Sequence, residues 1–176
     1  MAQFLAPDFS RNHTQYVFIT TLLLLCSHFI ALPAEALDRR GRIGIGLSNE
    51  FSHNIPALSF KLQRSRSFAL GGVAALDTTN SGGYGAGIKL YRNLFEEPQL
   101  NFYTAGLIAL INQKNHKSGS DSGFQIDWLF GSEFSFSGLS SLGFSFEFGI
   151  SLNKLDEFRA QTKGEHFITS SVHFYL

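Results

Sequence analysis

Charge is scarce in this 176-residue chain and evenly split, with 14 Lys and Arg against 14 Asp and Glu. No excess of either sign is left to bind a polyanion, and the basic stripe that nucleic acid requires is missing. The one basic cluster, Arg39-Arg40-Gly41-Arg42, is expected at a membrane surface or a solvated terminus. Cysteine is nearly absent: Cys26 stands alone, which excludes a disulfide framework and a cysteine-based metal site. A glycine-rich phosphate loop is lacking too, because the glycines sit singly or at alternating positions inside segments that read as strands. No apolar run makes a stable helical anchor. The densest, within residues 16–32, is broken by Ser27 and His28 and ends at Pro33.

That run has the character of a secretory signal. Tyr16, Val17, Phe18 and Ile19 open it, residues 22–25 are all leucine, and Ala34-Glu35-Ala36 supplies the small residues that signal peptidase accepts. Residues 1–36 are therefore expected to be a signal peptide, and 37–176 the mature domain. Leu25, where a lipoprotein signal would carry a small residue, argues against lipidation at Cys26. Removing 1–36 leaves 13 Lys and Arg against 12 Asp and Glu, still close to neutral.

What the chain does contain is alternation. Residues 142–153 read Leu-Gly-Phe-Ser-Phe-Glu-Phe-Gly-Ile-Ser-Leu-Asn, which puts six large apolar side chains on one face of a strand. Gly, Ser, Glu and Asn take the other face. A tilted strand of this length spans a bilayer. Similar segments are predicted at 42–48, 57–63, 68–76, 84–91, 100–111, 124–136 and 166–176. Residues 68–76 and 100–111 leave their phase open, the former through Gly71, Gly72, Ala74 and Ala75, the latter by being almost wholly apolar. Polar connections fall at 49–56, 77–83, 112–123 and 154–164 on one side, and at 65–67, 92–99 and 137–141 on the other.

Eight segments predict an all-β fold, an eight-stranded antiparallel transmembrane β-barrel with a polar lumen filled by side chains. An even count puts both termini on one side, the periplasmic one, with the longer connections facing outward. A soluble barrel would also alternate, but its outer surface would be about a quarter to a third charged. The polar faces here are mostly Gly, Ser, Gln and Asn, which suit a narrow lumen, and the Phe-bearing faces suit lipid. The chain resembles the small eight-stranded outer-membrane barrels, the class of the outer-membrane protein A transmembrane domain, over residues 41–176. At the C-terminus Val172, Phe174 and Leu176 alternate with His173 and Tyr175, similar to the signal read by the barrel assembly machinery, although members typically finish in Phe or Trp. The resemblance implies outer-membrane lipid and that machinery as partners, and Gram-negative outer-membrane location. It names no extracellular partner.

Lys61, Lys89, Asp127, Glu133, Glu147 and His173 are expected inside the barrel, where a buried charge has to be paired or hydrogen-bonded. Depth along the strands suggests Lys89 with Glu133 and Lys61 with Glu147. Lipid-modifying barrels use a Ser or Thr nucleophile, a His base and an orienting carboxylate. His166 and Ser170 share a face but stand about 13 Å apart along a strand, too far for contact, and His173, beside Ser171 and Tyr175, needs no catalytic role. His53 and His116 fall in outer connections, too distant in sequence to suggest a metal site. The expectation is a non-enzymatic barrel with a structural or surface-interaction role and no cofactor; a lipid-modifying enzyme or a narrow porin-like pore is the alternative.

Overall fold

The computed structural model describes residues 38–52, 55–115, 119–163 and 168–176. The proposed signal peptide, His53, His116 and His166 lie outside them. The described residues form nine strands and no helix: β1 (Ile43–Ser48), β2 (Ala57–Gln63), β3 (Phe68–Asp77), β4 (Gly83–Glu97), β5 (Leu100–Asn115), β6 (Gly119–Phe134), β7 (Leu142–Lys154), β8 (Phe158–Thr162) and β9 (Thr169–Tyr175). Every pairing is antiparallel, and the sheet closes through β6 with β7, β7 with β9, and β9 with β1. The result is a closed barrel with eight wall positions. The eighth is shared: β7 pairs with β9 over 142–147 and with β8 over 150–154.

Alternation sets the two faces of the wall. Ile45, Leu58, Phe60, Ile88, Ile108, Leu110, Trp128, Phe148, Ile150 and Phe174 point outward and are exposed, whereas Ser59, Lys61, Lys89, Leu107, Asp127 and Glu147 point inward and are buried. The two segments without a clear phase resolve on the same rule. In β3 Ala69, Gly71 and Val73 are buried; in β5 Tyr103, Ala105, Leu107, Ala109 and Ile111 are.

Strands run further than hydrophobic alternation shows. β4 and β5 continue through the expected turn at 92–99, with a bulge between Asn93 and Phe95, and leave only Pro98 and Gln99 to reverse the chain; Gln99 takes φ 64°. β5 and β6 likewise run into the expected connection at 112–123, pairing Asn112, Gln113 and Lys114 with Ser122, Asp121 and Ser120. The expected loop at 154–164 contains β8, whose five residues are all exposed. In each case the ladder is backbone hydrogen bonding, which polar side chains satisfy as well as apolar ones.

The stagger of the barrel follows from the register. From Ser151 on β7, partners run through Asp127, Leu107, Lys89, Gly71, Lys61 and Gly44 to Tyr175 on β9. Tyr175 N donates to Ser141 O, next to the Phe174–Leu142 pair. One circuit therefore returns ten residues from its start, at Ser141 and not Ser151. For eight strands that stagger corresponds to a tilt of about 40°.

The lower end, where β1 begins and β9 ends, is tied by Leu176 N to Ile43 O at 2.9 Å. At the upper end the β1–β2 connection turns inward. Phe51 (2% exposed) packs with Ala57, Val73, Leu107, Ala109 and Ile111. Although this connection is expected only as a polar loop, its Glu50, Phe51 and Ile55 are all buried, Phe51 adding apolar area to the cluster at the barrel mouth.

Candidate functional site: the buried ionic column

The charged side chains buried among the described residues are Arg39, Lys61, Lys89 and Lys163, and Glu50, Asp127, Glu133 and Glu147. Four cations balance four carboxylates, so the column they form inside the wall needs no counter-ion from outside.

Glu133 on β6 organises the lower part. It receives the Lys61 ammonium at 2.6 Å, the Arg39 guanidinium, and the Tyr175 hydroxyl at 2.8 Å. Arg39 also donates to Ser135 Oγ and stacks over the Tyr175 ring at 4.1 Å. Its neighbours Asp38 and Arg40 form an exposed pair outside the strands; hydrogen bonds from Arg40 hold the Asp38 carboxyl at about 2, below its ordinary value. Arg39 itself, expected at a membrane surface or solvated terminus, is buried, its guanidinium held by Glu133, Ser135 Oγ and the Tyr175 ring.

Glu147 on β7 organises the middle. Lys89 and the Tyr103 hydroxyl, the latter at 2.7 Å, donate to it, and Lys89 also donates to Glu50 Oε1 at 2.8 Å. The Lys61 ammonium sits 4.5 Å and 4.8 Å from the Tyr91 and Tyr103 ring centres, so aromatic faces line the space between the two cations. Above, Asp127 on β6 takes Lys163 at 2.6 Å and the Gln125 amide at 2.7 Å. Lys163 and Gln125 both donate to Glu50 O, and Gln125 accepts from Ser52 N at 3.0 Å. Glu50 thus joins the middle of the column to its top.

The pairings suggested by depth are exchanged. Lys61 bonds Glu133 and Lys89 bonds Glu147, and neither Lys89–Glu133 nor Lys61–Glu147 is an ion pair. Stagger is the cause. Lys61 shares its register row with Asp127, but tilt lowers the group level with it by a little over one residue per strand, so four strands on it is about five residues further down β6, beside Glu133. The same rule carries Lys89, in register with Ser151, about four residues down β7 to Glu147.

Glycines make room for the column. A Cβ on Gly131 would stand 2.7 Å from Tyr103 Cζ and 2.8 Å from Glu147 Cγ, and one on Gly143 would meet Glu133, Tyr175 and Arg39. Gly131 pairs with both Tyr103 and Glu147, which is why the tyrosine hydroxyl can cross the wall to the carboxylate.

His173 is buried with its Nε2 2.9 Å from Ser59 Oγ, while its Nδ1 has no hydrogen-bond partner. A hydroxyl and an imidazole are in contact, but among the described residues no carboxylate bonds to the ring. No group of three or more metal-ligating side chains occurs among the described residues.

Three members of the column, Arg39, Glu50 and Lys163, lie outside the strands, and alternation could not point to them. Charge counting could: Lys61 and Lys89 face Asp127, Glu133 and Glu147, so at least one further cation was required. Comparison with protein-family models, with curated proteins and with solved structures finds no match.

Proposed function

We propose that this chain is a non-enzymatic outer-membrane β-barrel of a Gram-negative envelope, with a structural or surface-interaction role. One observation carries the proposal. Large apolar side chains stand exposed on the outward face around the whole barrel, while eight charges are buried and paired inside. In water that arrangement is inverted, since a contiguous apolar surface of this extent is not tolerated by a soluble monomer. In a bilayer it is the expected one, with apolar groups to lipid and polar groups to the interior. The lumen is then a polar plug filled by side chains. Surface interactions fall to the outer connections and to β8.

The test is location and fold together. Membranes of expressing cells are separated, and the chain is run on a gel with and without boiling. A folded barrel is recovered in the outer-membrane fraction and migrates differently when unboiled; a soluble periplasmic product rules the proposal out. A lipid-modifying enzyme is the second reading, favoured only by the Ser59–His173 contact. Lipid A acyl composition that is unchanged between cells with and without Ser59→Ala or His173→Ala dismisses it.

A further inference from the structure

Arg92 is the one cation that the outward apolar belt does not account for. It is exposed on β4, between register partners Phe68 and Thr104, with Leu90 two residues above it on the same face. The other outward-facing strand cations, Lys114 and Lys154, sit at the upper ends of β5 and β7. No described residue forms an ion pair or side-chain hydrogen bond with the Arg92 guanidinium.

Directly above it the wall is indented. Leu90, Gly106 and Trp128 are register neighbours, and Gly106 leaves a gap between the other two. A Cβ there would touch nothing nearer than Asp127 O at 3.9 Å. The indentation is a groove of about 420 Å³ lined by Phe68, Leu90, Gly106 and Trp128, with Arg92 at its lower end. Trp128 is fixed as its far wall, because its indole N–H donates to Thr104 Oγ1 at 3.0 Å.

We propose that this groove seats one acyl chain of a phospholipid whose phosphate is held by Arg92. The inference rests on the bilayer placement proposed above. An arginine within an apolar belt is costly unless its head reaches the interface and meets an anion. The periplasmic leaflet supplies phosphates at the lower end of the barrel, and a guanidinium binds phosphate through paired N–H donors. The groove runs upward from that cation, toward the bilayer centre, as an acyl chain rising from the same phosphate would.

The barrel is extracted from outer membranes of expressing cells and titrated in detergent with dimyristoylphosphatidylglycerol, with bound lipid counted by native mass spectrometry. The unsubstituted barrel retains one lipid. Arg92→Gln and Gly106→Leu, the second filling the groove, each lower retention about tenfold, while Arg92→Lys and Lys154→Gln lower it less. Glycerophosphate, which has the phosphate and no chain, does not compete. Equal retention in Arg92→Gln and Gly106→Leu variants that still show heat-modifiable migration overturns the inference, and so does full competition by glycerophosphate. Failure to recover any heat-modifiable protein from membranes is a different result and overturns the bilayer placement itself.

Discussion

Lys89 is held between two carboxylates, Glu50 and Glu147, and among the described residues neither has another ammonium within ion-pair distance. Truncating it to Ala strands two buried negative charges, and removing one partner of such a pair costs about 3–5 kcal/mol. Urea titration of the folded barrel, followed through its single tryptophan, should show that loss for Lys89→Ala. The triple variant Lys89→Met, Glu50→Gln, Glu147→Gln should lose less, since it strands no carboxylate, although three cations, Arg39, Lys61 and Lys163, then face only Asp127 and Glu133. Gly131 gives a second residue-scale test. A methyl group there presses on Tyr103 and Glu147 at once, so Gly131→Ala should destabilise by about 1–3 kcal/mol. Gly106→Ala, whose Cβ enters open space, should stay within about 0.5 kcal/mol in the same titration.

Strands and their stagger decide which of these residues meet. If tilt sets the partners, a double-mutant cycle on Lys61 and Glu133 should give a coupling of about 0.5–3 kcal/mol, and the cycle on Lys61 and Glu147 a smaller one. The faces of β1, β2, β4, β6 and β7 were legible in the sequence because Gly, Ser and charged residues alternate there with large apolar ones. The stagger was not, because it depends on pairings between strands and not on the pattern within one, and so the ion pairs came out exchanged. Strand extensions at Arg92 to Glu97 and at Asn112 to Asn115 were missed because the bulge between Asn93 and Phe95 breaks the period in the first and the second is polar on both faces. β8 was missed as well. Its pairing can be checked by crosslinking in a Cys26→Ser background. Leu152→Cys with Ala160→Cys, which are register partners, should form a disulfide readily, whereas Leu152→Cys with Phe158→Cys should not.

At the scale of the whole molecule the fold is organised by a single division: apolar side chains outward, balanced charges inward. Each half requires the other. Eight buried charges are tolerable only if they neutralise one another, and an apolar outer wall is tolerable only if something other than water covers it. Trp128, the only tryptophan in the chain, reports on that wall, being 68% exposed on the outward face of β6. The most direct measurement is its fluorescence after reconstitution into vesicles containing brominated lipid. Strong quenching by bromine on the acyl chains, together with protection from aqueous iodide, is the predicted result. Quenching by iodide with no effect of the brominated chains would contradict it, and would mean that the apolar wall faces something other than a bilayer.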